Sequence, residues 1–161
     1  MSQMEQMYQE IILDASQQRY GEGRLSDPDG ESFQMNPTCG DQVTLDVKIV
    51  DGKIAQIGWD GSGCSISQAS ISIMTELVEG KTLEEFAQLY EVFRTMMDSQ
   101  GAPLCDHDAD FLADASAFHG VSKFPMRIKC ALLGWMALRD ATDQALDDLC
   151  TINLSTERSE E

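Results

Sequence analysis

Basic residues are scarce in this chain. Eleven lysines and arginines stand against 28 aspartates and glutamates in 161 residues, a formal net charge of −17. So acidic a chain repels phosphate backbones, which argues against nucleic acid and favours a basic patch on a protein partner. Part of the excess charge would also serve solubility alone. No apolar run is long enough to cross a bilayer, so no membrane association is expected. The opening residues, Met1-Ser2-Gln3-Met4-Glu5-Gln6, lack the basic and apolar regions of a secretory signal, and a cytoplasmic protein is expected. Five cysteines make an odd set that no complete disulfide framework uses. In a reducing compartment, cysteines far apart in sequence point instead to metal or sulfur chemistry. Internal repeats are absent, and Gly61-Ser62-Gly63 lacks the lysine and the length of a phosphate-binding loop.

What is present fits one domain, residues 1–146, followed by an acidic tail, 147–161, expected to be disordered. Met4, Tyr8, Ile11, Ile12 and Ala15 recur at helical spacing. Residues 21–30 read as a loop, and 31–35 as a short strand. Val43, Leu45, Val47 and Ile49 alternate with more polar neighbours, which predicts a half-buried strand. Asp51-Gly52 signals a tight turn, and 54–59 returns as the next strand. Ser65 to Val78 reads as a helix rich in small residues. Thr82-Leu83-Glu84-Glu85 is a capping box opening a helix with Leu83, Phe86, Ala87, Tyr90, Phe93 and Met97 on one face. Residues 99–108 break the pattern, and 110–118 predict a short helix. Pro125 suits a first helical position, with Ile128, Ala131, Leu132, Trp135 and Leu138 as the apolar stripe after it. Trp59 and Trp135 are expected in the core, and Met74, Met96, Met97, Met126 and Met136 as filler. The fold class is therefore α+β, a small antiparallel three-stranded sheet with helices packed on it.

Three cysteines stand in distinctive settings: Asn36-Pro37-Thr38-Cys39-Gly40-Asp41, Gly61-Ser62-Gly63-Cys64-Ser65 and Phe124-Pro125-Met126-Arg127-Ile128-Lys129-Cys130. Cys39 and Asp41 share a turn that Pro37 stiffens and Gly40 lets bend. Cys39 and Cys64 flank the outer ends of one predicted hairpin, so the two thiols can meet. Cys64 opens a helix, where the dipole favours a thiolate. Cys130 lies in the second turn of the last helix. Each cysteine alone could be a small buried hydrophobe. Together, Cys39, Asp41, Cys64 and Cys130 suffice for a tetrahedral site, and soft thiolates select zinc. Such a site is anionic. Arg127, three residues before Cys130, and Lys129 occupy the start of a helix, where cations oppose the dipole. A compensating anion is expected there, either the site or a sulfur-bearing partner; two solvated surface charges are the alternative.

Taken in order, Cys-Gly-Asp, Gly-x-Gly-Cys and Arg-x-Lys-Cys resemble the SufU-type proteins, zinc-containing sulfur-transfer relatives of the IscU/NifU N-terminal iron–sulfur scaffolds. The resemblance runs from about Met4 to about Ala141. Three departures from the scaffolds favour the SufU type. Lys129 stands where scaffolds typically carry a histidine, Lys123-Phe124-Pro125-Met126-Arg127 replaces their chaperone-recognition motif, and the stretch between Cys64 and Cys130 is longer, near residues 96–121. The resemblance implies an IscU/SufU-like fold and a persulfide route. A pyridoxal-phosphate (PLP) cysteine desulfurase of SufS type forms a persulfide, and a cysteine leaves zinc to accept its sulfur. That acceptor corresponds to Cys39, while a desulfurase histidine takes its place on zinc. Sulfur then passes to SufBCD-type assembly proteins. Arg127 is expected to balance the anionic site or guide the persulfide. The alternatives are a scaffold binding a transient iron–sulfur cluster, and a structural zinc protein whose acidic surface binds a partner. Cys105-Asp106-His107-Asp108, His119 and Cys150 are expected to stand outside the chemistry.

Overall fold

The computed structural model describes the backbone of residues 3–159 and the side chains of residues 3–147. Helix α1 (Gln3–Gln18) leads through a loop into strands β1 (Gly30–Asn36), β2 (Asp41–Val50) and β3 (Lys53–Ser62). Helices α2 (Ser65–Val78), α3 (Leu83–Asp98) and α4 (Asp106–Leu112) follow, then a 3-10 helix (Ala113–Lys123) and the long α5 (Pro125–Ser159). The segment 147–161, expected as a disordered tail, lies outside the described side chains beyond Asp147, and Cys150 with it.

The strands form one antiparallel sheet in the order β1-β2-β3, as the alternation predicts. Asp51 and Gly52, both at positive φ, make the β2–β3 turn. Val43, Leu45 and Val47 share the face on which α5 packs, with Trp59 opposite Leu45 in register. The other face is less open than simple alternation implies. Asp46 is fully buried because the loop after α1 folds over it: Arg24 grips its carboxylate at 2.6 and 3.1 Å, and the Leu25 N–H donates to it at 3.0 Å.

The helical core is built on aromatic stacking. Trp135 of α5 lies between Phe93, 4.3 Å away centroid to centroid, and Phe86, 6.2 Å away. The capping box at Thr82 starts α3 with both reciprocal bonds in place, and the bond from the Thr82 backbone holds the Glu85 carboxyl below its ordinary range. Ala87, expected on the buried face, is exposed, and Leu89 takes its place. Met126 and Met136 are likewise exposed rather than core filler, whereas Met74, Met96 and Met97 are buried.

The single helix expected over 110–118 is instead two pieces. The chain breaks at Ala113, at φ +51°, and continues as the 3-10 helix to Lys123. Leu112, Ala115, Phe118 and Val121 bury this insertion against α1, α2, α3 and α5. His119 Nε2 lies 2.6 Å from the Ala102 carbonyl, and the Gly101 N–H donates to Ser122 Oγ at 2.9 Å, tying the preceding loop down. The insertion thus sets the point at which α5 begins and carries Cys130 over the sheet.

Candidate metal centre

Strand register brings the cysteine-bearing segments to one end of the sheet. Asn36 pairs with Asp41 across β1 and β2, and Gln42 pairs with Ser62 across β2 and β3. The Cys39 turn, the first residue of β2 and the exit of β3 are therefore neighbours. The turn closes with a 2.9 Å bond from the Gly40 N–H to the Asn36 carbonyl. Gly40 sits at φ +73°, a left-handed conformation that costs glycine little. Asp41 alternates in phase with Val43 and Leu45, so its side chain turns to the helix-covered face, where the residue is 1% exposed.

Asp41 joins two of these segments. Its Oδ1 accepts the Cys64 N–H at 2.8 Å, and its Oδ2 lies 3.6 Å from Cys64 Sγ. Cys64 is the N-cap residue of α2, in extended conformation, and its carbonyl accepts from the Gln68 N–H at 3.2 Å. Its sulfur makes no capping bond and turns instead to the Asp41 carboxylate. Ser67, 4.0 Å from that sulfur, returns its hydroxyl to the Cys64 carbonyl at 3.0 Å.

Cys130 descends from α5 onto the same point. Its Sγ is 3.4 Å from Cys39 Sγ, and the residue is only 2% exposed, whereas Cys39 and Cys64 are exposed. Burial pushes the Cys130 thiol far above its ordinary range, and Asp41, Cys39 and Cys64 beside it push the same way. A proton therefore stays on this sulfur unless a cation replaces it. One ligand atom from each of Cys39, Asp41 and Cys130 lies within 4.8 Å of the others. The Cys64 sulfur, 3.6 Å from the Asp41 carboxylate, borders the same space. Three soft sulfurs and one oxygen, two of these groups buried, fit a zinc ion in both number and chemistry.

The cationic residues expected beside the site make no contact with its ligand atoms among the described residues. Arg127 is exposed and stacks its guanidinium over the Phe124 ring at 5.3 Å, with no ion pair among the described residues; Lys129 is exposed too. The structure thus does not bring Arg127 to the sulfurs. Cys105 is an exposed N-cap residue of α4, and His107 pairs with its neighbour Asp108 at 3.6 Å. Neither joins the cluster.

Two residues at the site were not anticipated. Asn36 is buried and directs its amide toward Cys130 Sγ. The Asn-Pro pair at the turn entry is a recognised turn signal that pointed to it. Arg19 bonds to Gln68 of α2 and to the Gly61 carbonyl at 3.2 Å, clamping the segment that carries Cys64, and its guanidinium lies 4.8 Å from the Trp59 ring centroid. Arg19 also pairs with nearby Glu22, but no local pattern marks the clamp, because Gln68 and Gly61 are remote in sequence.

A three-stranded sheet under helices, with three thiols and a carboxylate at one end, defines an α+β class with a thiol-rich candidate metal centre. The chain belongs to the NifU-like N-terminal domain family, which residues 7–131 match. The iron–sulfur cluster assembly scaffold protein IscU of Streptococcus pyogenes serotype M1 is 41% identical over 143 residues, 88% of this chain and 86% of that protein. The zinc-dependent sulfurtransferase SufU of Bacillus subtilis (strain 168) is 37% identical over 135 residues, 84% and 88% of the two chains. The crystal structure of a SufU from Fervidobacterium islandicum AW-1, described as a cluster assembly scaffold for the SUF system, superposes with a TM-score of 0.74. It is 33% identical and covers 82% of this chain and 93% of its own. The IscU/SufU-like fold and the SufU-type resemblance of the cysteine motifs stand on these similarities. No helix among the described residues is long and apolar enough to cross a membrane.

Proposed function

We propose that this protein acts in iron–sulfur cluster assembly as a zinc-dependent sulfur carrier, with Cys39 as the acceptor. The observation that carries this reading is the pairing of an exposed Cys39 thiol with a buried Cys130 thiol 3.4 Å away, Asp41 and Cys64 alongside. The Cys39 sulfur can meet a partner while the buried Cys130 sulfur cannot; Cys64 is exposed as well. Cys39, Asp41, Cys64 and Cys130 would hold zinc. When bound, zinc supplies a redox-inert means of keeping thiols deprotonated at neutral pH.

In the transfer, the Cys39 thiolate attacks the terminal sulfur of the persulfide on a PLP-dependent cysteine desulfurase. A new S–S bond forms on Cys39, the donor's S–S bond breaks, and its electron pair leaves on the desulfurase thiolate. The sulfur keeps its oxidation state, so no outside reductant is needed. The SufS-type donor and SufBCD-type recipients belong to this proposal, as does Arg127 as a residue that meets the incoming persulfide. Desulfurase turnover with and without the protein tests it. Stimulation lost in Cys39→Ser supports the carrier, and unchanged turnover sinks it.

A second reading is favoured by the likeness to a relative named as a scaffold. There the same thiols would hold an iron–sulfur cluster as cargo. A colourless zinc protein on aerobic purification supports the carrier; a coloured protein containing iron and sulfide supports the scaffold.

A further inference from the structure

The two sulfurs that meet at 3.4 Å are held unequally: Cys130 is buried and Cys39 is exposed. Asn36 is the last residue of β1, 6% exposed, and faces the site from the position opposite Asp41. Its Oδ1 accepts the Thr38 N–H at 3.2 Å, and its carbonyl accepts the Gly40 N–H at 2.9 Å. These bonds shape the turn that presents Cys39. Its Nδ2 points the other way, to Cys130 Sγ at 4.0 Å, and among the described residues meets no other acceptor. One amide therefore spans from the Cys39 turn to the Cys130 sulfur.

We infer that Asn36 is a positioning residue that makes the pair asymmetric: its N–H holds Cys130 as the fixed, electron-poor sulfur while its carbonyl oxygens present Cys39 as the sulfur free to move. An N–H donor draws electron density from a thiolate and pins its direction, so a sulfur so held is a poorer nucleophile and a steadier ligand. Cys39 has no side-chain amide donor among the described residues. The inference rests on Cys39 being the acceptor, yet its test is independent of sulfur transfer.

Two variants separate the two ends of the amide. Asn36→Asp keeps the acceptor for the Thr38 N–H and so the turn, but deletes the N–H donor to Cys130. Asn36→Ser removes the amide N–H without adding charge and leaves a shorter hydroxyl that can accept from the turn. Each protein is loaded with cobalt(II), and its sulfur-to-cobalt charge-transfer band is recorded. Loss of the donor makes the Cys130 sulfur more electron-rich, so the band moves to longer wavelength in both variants. Release of zinc to a chelator is expected to quicken about fivefold, the scale of one weak hydrogen bond. Should Asn36→Ser fail to fold, Asn36→Thr, which keeps a hydroxyl acceptor for the turn, supplies the uncharged comparison, because the carboxylate added by Asn36→Asp moves the band the same way by itself. A band at the wild-type wavelength in the folded variant makes Asn36 a turn residue only and overturns the inference. If the band shifts while the desulfurase assay shows no stimulation, the asymmetry stands and the carrier function falls.

Discussion

Gly63 and Asp41 approach so closely that a β-carbon on Gly63 would lie 2.8 Å from Asp41 Cγ, and nearer still to Oδ1. The same added atom would stand 2.8 Å from Ser67 Oγ. Such distances are well inside van der Waals contact, so one neighbour must shift. The rigid backbone of β2 holds Asp41 in register, and its carboxylate is tied to the Cys64 N–H. Gly63→Ala is therefore expected to push the carboxylate aside and break that bond. Zinc affinity should fall by about tenfold, as when a residue supporting a metal ligand is lost. Chelator competition measures this. Wild-type affinity in a folded Gly63→Ala protein would show that Asp41 does not depend on this close approach.

Much of this site is legible in the sequence for a simple reason. Turns and helix starts are local events: Cys39 sits on a turn, Asp41 follows it as the first residue of β2, Cys64 opens α2, and Cys130 lies in the second turn of α5. Alternation in Val43, Leu45 and Val47 fixes which way Asp41 points, and the Asp51-Gly52 turn brings the hairpin's outer ends together. What escaped the sequence depends on distant packing. Asp46 reads as an outward strand residue until the Arg24 loop covers it. The insertion after α3 reads as one helix with a loop, because a 3-10 segment bent at Ala113 has no clear period and is stabilised by burial against four other helices. Arg127 reads as a site cation from its spacing to Cys130. Helical spacing fixes the shared face but not whether a long side chain folds back on Phe124.

The cluster geometry sets an expectation for metal removal. Cys130 is buried and Cys64 caps α2, so loss of either should release zinc and also loosen the fold. Cys64→Ser and Cys130→Ser should lose zinc by elemental analysis and melt at lower temperature than the zinc-loaded wild type. Chelator treatment of the wild type should lower its melting temperature in the same direction. Cys105→Ser should change neither quantity, since Cys105 is exposed and apart from the cluster. Full zinc in both ligand variants would rule out this ligand set.

Arg127 offers a sharper separation between holding the metal and meeting a partner. It touches Phe124 rather than a sulfur, so Arg127→Ala should leave zinc content unchanged. If it guides the incoming persulfide, desulfurase stimulation in that variant should fall by about tenfold or more, the loss expected for one charge-assisted contact in a transfer step. Zinc content and turnover on the same preparation decide the matter. Unchanged stimulation returns Arg127 to the role of a surface charge resting on an aromatic ring.

Asp41 has two duties, and they can be pulled apart. Its Oδ1 fixes the Cys64 backbone at 2.8 Å, and its Oδ2 faces the sulfurs. As a harder ligand than thiolate it would make the weakest of the bonds to zinc, which keeps the site open to exchange when Cys39 must depart. Asp41→Ala removes both duties and should weaken zinc binding. Asp41→Asn preserves an acceptor for the Cys64 N–H but is a neutral, poorer ligand, so it should retain the fold of the α2 start while still binding zinc less tightly. Asp41→Cys supplies a fourth thiolate, expected to tighten zinc and slow sulfur acceptance, although it gives up the backbone bond. The measurement is chelator competition beside desulfurase turnover for all three variants. Tighter zinc with sulfur acceptance at the wild-type rate in Asp41→Cys would mean that ligand lability does not limit transfer. Asp41 would then matter for building the site, through Cys64, rather than for opening it.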